Sequence, residues 1–267
     1  MTKTLYKSNW KKNILKVSFF LLCLCLIVAS LYAILFTQQV RCFFVQFSDL
    51  QRVDKNLYIS RQLDGFQVIW FQENIKEAKN RLQQFFGEVK SNPIIIAGND
   101  STTIQRFGHP TINTGLMHST PFGAYIVLGI NGLNADVISH EYCHAELLAR
   151  TNWWVRETQI PTWFDEGLAL MLDYRFTGYD ADSEMLWILL TKHGKIAPSL
   201  DELEKMSDFQ YYTNINPLLS YYTSHREVRR WLKIVGIEGL EELCQKLKEG
   251  EDFHKVYKEI ELEKIAK

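Results

Sequence analysis

Cysteine is scarce in this chain. Cys23 and Cys25 fall inside an apolar run, and the remaining three, Cys42, Cys143 and Cys244, cannot all pair with one another. No disulfide framework is therefore implied, and a single Cys42–Cys244 bridge is left open. An excess of charge of one sign is also missing. The formal net charge is −1 and no basic stripe interleaves with aromatics, which argues against a general nucleic-acid binder. Internal repeats and low-complexity tracts are absent, so solenoid, collagen-like and disordered classes fall away. The 267 residues, 46% of them hydrophobic, fit one large domain or two small lobes once the N-terminus is set aside.

The N-terminus carries the one long hydrophobic run, residues 17–36, with no charge, proline or glycine. At ~1.5 Å per residue it spans a hydrocarbon core of roughly 30 Å. Lys3, Lys7, Lys11, Lys12 and Lys16 precede it with no acid among them, whereas Arg41 and Arg52 on the far side are balanced by Asp49 and Asp54. The positive-inside rule then places residues 1–16 in the cytoplasm, an anchor at 17–36 and the rest of the chain outside. A cleaved signal peptide is the rival reading. It is disfavoured because the run continues past the small-residue site at Val28 to Ser30. The scarcity of N-x-[ST] sites favours a bacterial cell membrane.

After a juxtamembrane segment, 37–55, the pattern over 56–267 predicts an α+β domain. Strands are expected at 66–72, near 93–98 and at 123–130, with a helix over 73–89 and hairpin loops over 100–120. Helical spacing follows near 133–150, 162–175, 183–193, 217–235, 237–248 and 252–265. The expected fold is a small N-terminal mixed sheet with helices, an active-site helix after an edge strand and a largely helical C-terminal half.

Within that helix stands HEYCH. Residues i and i+4 share a helix face, so His140 and His144 can point at one ion, with Glu141 at the edge of that face. Imidazole nitrogens suit Zn²⁺, and a neighbouring carboxylate that is not a ligand can take a proton from the attacking water. A chance match in a chain of this length is about a one-in-a-hundred event, so HEYCH alone leaves open an ordinary half-buried helix. A third ligand is needed, and PTWFDEGLALMLD offers Glu166, 22 positions after His144, across a loop containing Pro161. Gly167 and Ala169 would let helices approach closely. Asp165, about 100° around the helix, is the weaker ligand candidate.

HEYCH followed by WFDEGLA resembles the gluzincin metallopeptidases, and most of all their shorter, single-domain, peptidase-MA-like members. The similarity runs from Phe66 to the C-terminus and is strongest over 137–173. It implies a zinc metallopeptidase in which His140, His144 and Glu166 bind Zn²⁺ and Glu141 is general base and acid. It further implies that Asp173, seven residues past Glu166, supports a ligand histidine, and that an oxyanion donor sits on a later helix. For that donor Tyr221 is preferred, with Tyr222 and His225 behind it. Residues 123–130 take the place of the substrate-binding edge strand, and the absence of an acid in GAYIV favours an endopeptidase over an aminopeptidase. A peptide or protein is then the substrate partner and the membrane the other.

The alternatives are a zinc-stabilised, non-catalytic binding or scaffold protein of the same fold, a metal-free membrane-tethered helical domain, and hydrolysis of a non-peptide amide. Cys143 lies off the histidine face and reads as packing. His109, His118, His193 and His254 lack ligand spacing, with His118 singled out because its loop precedes the expected edge strand. Trp153, Trp154 and Trp163 could line a cleft but suit core packing better.

Overall fold

The apolar stripe that organises the first half of the domain is Phe71, Ile75, Ala78, Leu82 and Phe86, buried at helical spacing. In a computed structural model, which describes residues 2–108, 114–177 and 183–266, these side chains lie on helix α3 (Gly65–Phe86). The strand expected at 66–72 is thus the start of a helix. Asp64 accepts from the Gln67 backbone N–H while the Gln67 side chain accepts from the Asp64 N–H, a reciprocal cap that begins the helix at Gly65.

Ahead of α3 come α1 (Thr2–Leu35), α2 (Thr37–Phe43), a 3-10 turn at Val45–Phe47, β1 (Gln51–Asp54) and β2 (Leu57–Ile59). The stretch Asn13–Leu35 of α1 is long and apolar enough to cross a membrane, and none of it is buried by the rest of the protein. No linker separates it from the domain. Helical hydrogen bonds run across the junction, from the Phe36 N–H to the Tyr32 carbonyl at 2.8 Å and from the Val40 N–H to the Phe36 carbonyl at 3.0 Å. Residues 37–55 therefore carry folded elements.

After α3 follow β3 (Ile94–Ala97), α4 (Ser101–Phe107), β4 (Gly115–Thr120) and β5 (Gly123–Leu128). A helix and a strand thus occupy most of the stretch expected to be hairpin loops. The sheet order is β1-β2-β3-β5-β4, parallel across β2, β3 and β5 and antiparallel at both margins. The strand at 123–130 is confirmed as β5, but it is internal. The edge beside it is β4, paired from Gly115↔Leu128 to Thr120↔Gly123. One face of the sheet is covered by α2 and α4 around Cys42, Val45, Ile96, Ile104, Phe107 and Val127. The other is covered by α3 and by α5 (Ala135–Arg150), whose Val137, Ile138, Tyr142 and Leu147 enter the main core.

The C-terminal half is helical: α6 (Trp153–Thr158), α7 (Thr162–Ala169), α8 (Tyr174–Thr177), α9 (Ser183–Leu190), α10 (Met206–Ile215), α11 (Pro217–Lys248) and α12 (Phe253–Ile265). Gly236, at φ 70°, breaks α11 between the two helices expected at 217–235 and 237–248. An aromatic cluster of Trp163, Phe164, Trp231, Phe253 and Tyr257 joins α7, α11 and α12. The protein is an α+β domain with a small mixed sheet, preceded by one candidate membrane helix.

Two contacts fix the helices that matter below. Buried Glu146 accepts from the Lys90 and Ser91 backbone N–H groups at 2.8 Å each and lies 2.8 Å from Arg150, tying α5 to the start of β3. Gly167 lies against α11, where an added Cβ would stand 2.6 Å from the Ser224 carbonyl oxygen and 2.7 Å from Val228. The close approach foreseen at Gly167 is real, but the partner is α11. Gly167→Ala must displace backbone, so a loss of about 1–3 kcal/mol is expected. Thermal unfolding checks this, and an unchanged midpoint would mean that α7 and α11 separate without cost.

Candidate metal centre

Helix α5 is buried along its length except at Asp136 and Ala149, so its polar residues face protein rather than solvent. The Asn134 side chain caps it by accepting from the Val137 N–H, and Arg81 of α3 donates to Asp136 at 2.7 Å beside the first turn. From this fixed helix His140 and His144 project together, their ring centroids 4.8 Å apart. Pro161 starts α7, which brings Glu166 opposite them. His140 Nε2 is 3.4 Å from Glu166 Oε2 and His144 Nε2 is 3.9 Å from Glu166 Oε1. Among the described residues these three offer ligand atoms all within 4.8 Å of one another, and all three are buried.

The other nitrogen of each imidazole faces a different carboxylate. His144 Nδ1 lies 2.7 Å from Asp165 Oδ1, and His140 Nδ1 lies 3.2 Å from Asp173 Oδ2, without the alignment of a full hydrogen bond. Each of those acids meets an arginine in turn: Arg156 donates to Asp165, and Arg175 donates to Asp173 through both its side chain and its backbone N–H. The Leu172 carbonyl, one residue before Asp173, is held by Arg81 at 3.2 Å. With a proton at Nδ1 facing each carboxylate, Nε2 is the nitrogen that each imidazole would offer to an ion on the Glu166 side. Glu166 Oε2 is buried and has no hydrogen-bond partner.

Two imidazole nitrogens and an unsatisfied carboxylate oxygen converging in a buried space suit a cation, so the residues fit a metal ion. The electrostatics agree. Burial works against charge on His140, but Asp173 and Glu166 outweigh it and push the imidazole up to about 10. His144 is raised in the same way, burial being overcome by Asp165. Asp165 and Asp173 are held well below the usual carboxylate range despite burial, by Arg156 and His144 and by Arg175 and His140 respectively. The pocket is thus short of positive charge, which protons or a cation can supply.

Glu141 is buried beside the first histidine. Burial pushes its carboxyl up, and the two imidazoles pull it down. Its Cγ lies where a Cβ on Gly115 would come within 3.3 Å, so β4 runs directly past it. Of the three residues named on α11, Tyr221 alone responds to the site: Glu166, burial and Glu141 together hold its phenol protonated well above the ordinary value. Tyr222 is raised by burial alone. His225, lowered to about 4 by burial and then Arg229, has a buried Nδ1 with no hydrogen-bond partner and no response to the site carboxylates.

The remaining residues fall outside the cluster. Cys143 is buried in the core, and the five cysteines are all free. Cys42 and Cys244 belong to separate clusters, and the Cys42 thiol donates to the Phe107 carbonyl at 3.3 Å instead of bridging. His118 Nε2 meets the Phe107 carbonyl on the α4 side of the sheet, His193 sits in a left-handed turn, and His254 pairs with Glu204 at 3.1 Å. His109 lies outside the described residues. Trp163 is core, Trp153 partly buried and Trp154 exposed.

Asp165 is the residue whose role the sequence reading missed. It stands behind His144 as Asp173 stands behind His140. The signal available was its position next to Glu166 on a helix facing both histidines. No family model matches this chain, and no curated protein matches it in sequence.

Proposed function

We propose that this chain is a membrane-anchored, zinc-dependent metallopeptidase of the gluzincin kind, an endopeptidase with its N-terminus in the cytoplasm and its catalytic domain outside, in a bacterial cell membrane. The observation that carries this reading is the convergence of two carboxylate-backed imidazoles and the unpartnered Glu166 oxygen, with a buried Glu141 beside them. Two imidazoles and one carboxylate are a donor set suited to Zn²⁺. A purely structural zinc site has no need of Glu141.

His140, His144 and Glu166 would hold the ion, which would supply Lewis-acid polarisation of a carbonyl and a more acidic water. The protein does the rest. Asp165 and Asp173 retain the Nδ1 protons and fix both imidazoles. Glu141 takes a proton from the attacking water on a carboxylate oxygen and delivers it to the leaving amine nitrogen. The Tyr221 hydroxyl, kept protonated by its surroundings, donates to the oxygen that gains charge. The outer edge of β4 can hydrogen-bond an extended peptide as an added strand, which places its backbone alongside Glu141. Neither GLMHST in β4 nor GAYIV in β5 carries an acid to hold a free amine, which supports internal cleavage.

The test is a peptide-library digest by the purified full chain, before and after 1,10-phenanthroline. Cleavage lost on chelation and restored by Zn²⁺ is the expected result. A zinc-loaded chain that cleaves nothing would overturn the enzyme reading in favour of a metal-stabilised binding protein.

A further inference from the structure

The domain meets the end of its membrane helix without slack. Because α1 continues into α2 within one turn, whatever α2 carries stands near the surface from which α1 emerges. α2 is in turn fixed to the domain. Cys42 and Val45 are buried against α4 and the sheet, and Arg41 donates to the Arg106 carbonyl at 3.2 Å.

On the uncovered side of this segment lie three phenylalanines, Phe43, Phe44 and Phe47, exposed by 48%, 52% and 77%. A fourth, Phe122, comes from the tip of the β4–β5 hairpin. It is 75% exposed, with its ring 5.5 Å from that of Phe43. Phe43 and Phe44 are 5.1 Å apart, and Phe44 and Phe47 6.3 Å. Four exposed rings linked one to the next are unusual on a surface that faces only water. Apolar rings next to a membrane span leave water by sinking to the boundary between headgroups and acyl chains, as Phe does on the apolar face of an interfacial helix.

We infer that Phe43, Phe44, Phe47 and Phe122 bed into the lipid interface beside the exit of α1, so that the domain touches the bilayer through the β4–β5 hairpin as well as through its anchor. This rests on α1 spanning the membrane, independently of any catalysis. Joined to the metallopeptidase reading, it narrows the substrate class. Strand β4 has Gly115 beside Glu141 at one end and reaches the Phe122 turn at the other. Seven residue steps from Gly115 to Phe122, at ~3.4 Å each, put the Glu141 end of β4 within about 24 Å of the hairpin tip. Polypeptide segments immediately outside the membrane are what a cleft at that height can bind.

The test places p-benzoylphenylalanine singly at positions 44, 47 and 122 of the full chain in phospholipid nanodiscs, with position 211 as control. Tyr211 is exposed on α10, in the C-terminal helical half, away from the sheet face that α2 covers. On irradiation, lipid adducts at 44, 47 and 122 at least tenfold above those at 211 are expected by mass spectrometry. Yields no higher than at 211, or adducts to peptides of a second copy instead of lipid, would overturn the inference. Failure of the chain to enter the disc would remove the anchor and this proposal together. Entry without adducts would remove the patch alone and leave the metallopeptidase reading standing.

Discussion

Glu141→Gln should leave the bound metal at its wild-type stoichiometry and lower peptide hydrolysis by about 10²–10⁴-fold, the range that a positioned general base contributes. The substitution keeps the shape and burial of the side chain against Gly115 and removes only the capacity to accept and return a proton. Neither His140, His144 nor Glu166 is altered, so elemental analysis and kinetics on one preparation separate binding from turnover. The loss belongs in kcat, because the proton moves in the chemical step. A variant within tenfold of wild type would show that some other group takes the proton. A variant that loses metal as well would make Glu141 a ligand.

Removing ligands acts on the other quantity. His144→Ala and Glu166→Ala each delete one of three converging donors, and both are expected to reduce the metal content from about one ion per full chain to background. Asp165→Asn and Asp173→Asn keep size and position but replace the anion facing each Nδ1, so they should retain the ion with 10–100-fold weaker affinity. Stability gives a second readout. A ligand present at a hundred times its Kd stabilises the folded state by about 2.7 kcal/mol, a shift in thermal midpoint that ligand variants should lack. If Asp165→Asn loses the ion as completely as His144→Ala, Asp165 coordinates it directly. A folded wild type without affinity for Zn²⁺ would end the metal reading altogether.

The candidate cluster was legible in the sequence because its logic is local. His140 and His144 share a helix face by spacing alone, and the interval to Glu166 is long enough for a helix to end, turn at Pro161 and return. The apolar run of the anchor is equally plain. Legibility failed where the answer depended on strand order or on a side chain with two ends. Strand β5 has the more hydrophobic sequence, as an internal strand should, and β4, with its Ser and Thr, is the edge, because β3 pairs with β5 on the other side. That pairing joins residues about thirty positions apart, and no local pattern announces it. By helix geometry Asp165 points about 100° from Glu166, which makes it the weaker ligand candidate. An imidazole has nitrogens on two sides, however, so neighbours on one helix can serve the ion and the back of the ring at once. Asp173 was expected two turns along a continuing helix. α7 in fact stops at Ala169, and the acid reaches His140 from the chain beyond it, held in place by Arg81 and Arg175. The short apolar stretch at 66–72 reads as a strand. The Asp64–Gln67 cap decided for a helix and left Phe66, Ile69 and Trp70 outward.

The uninterrupted passage from α1 into α2 bears on kinetics. A domain on a long flexible tether sweeps a volume and meets partners by diffusion in three dimensions. Where α1 sits in a bilayer, this domain has no such volume to sweep. Encounters with other membrane proteins then become a search in a plane, governed by lateral diffusion and by the number of molecules per unit area. Doubling the lipid at fixed protein would halve that surface density and slow a reaction with an embedded substrate, while a soluble peptide would be processed at an unchanged rate. Inserting a flexible linker between residues 36 and 37 would blunt that dependence, because length restores reach at the cost of a lower effective concentration.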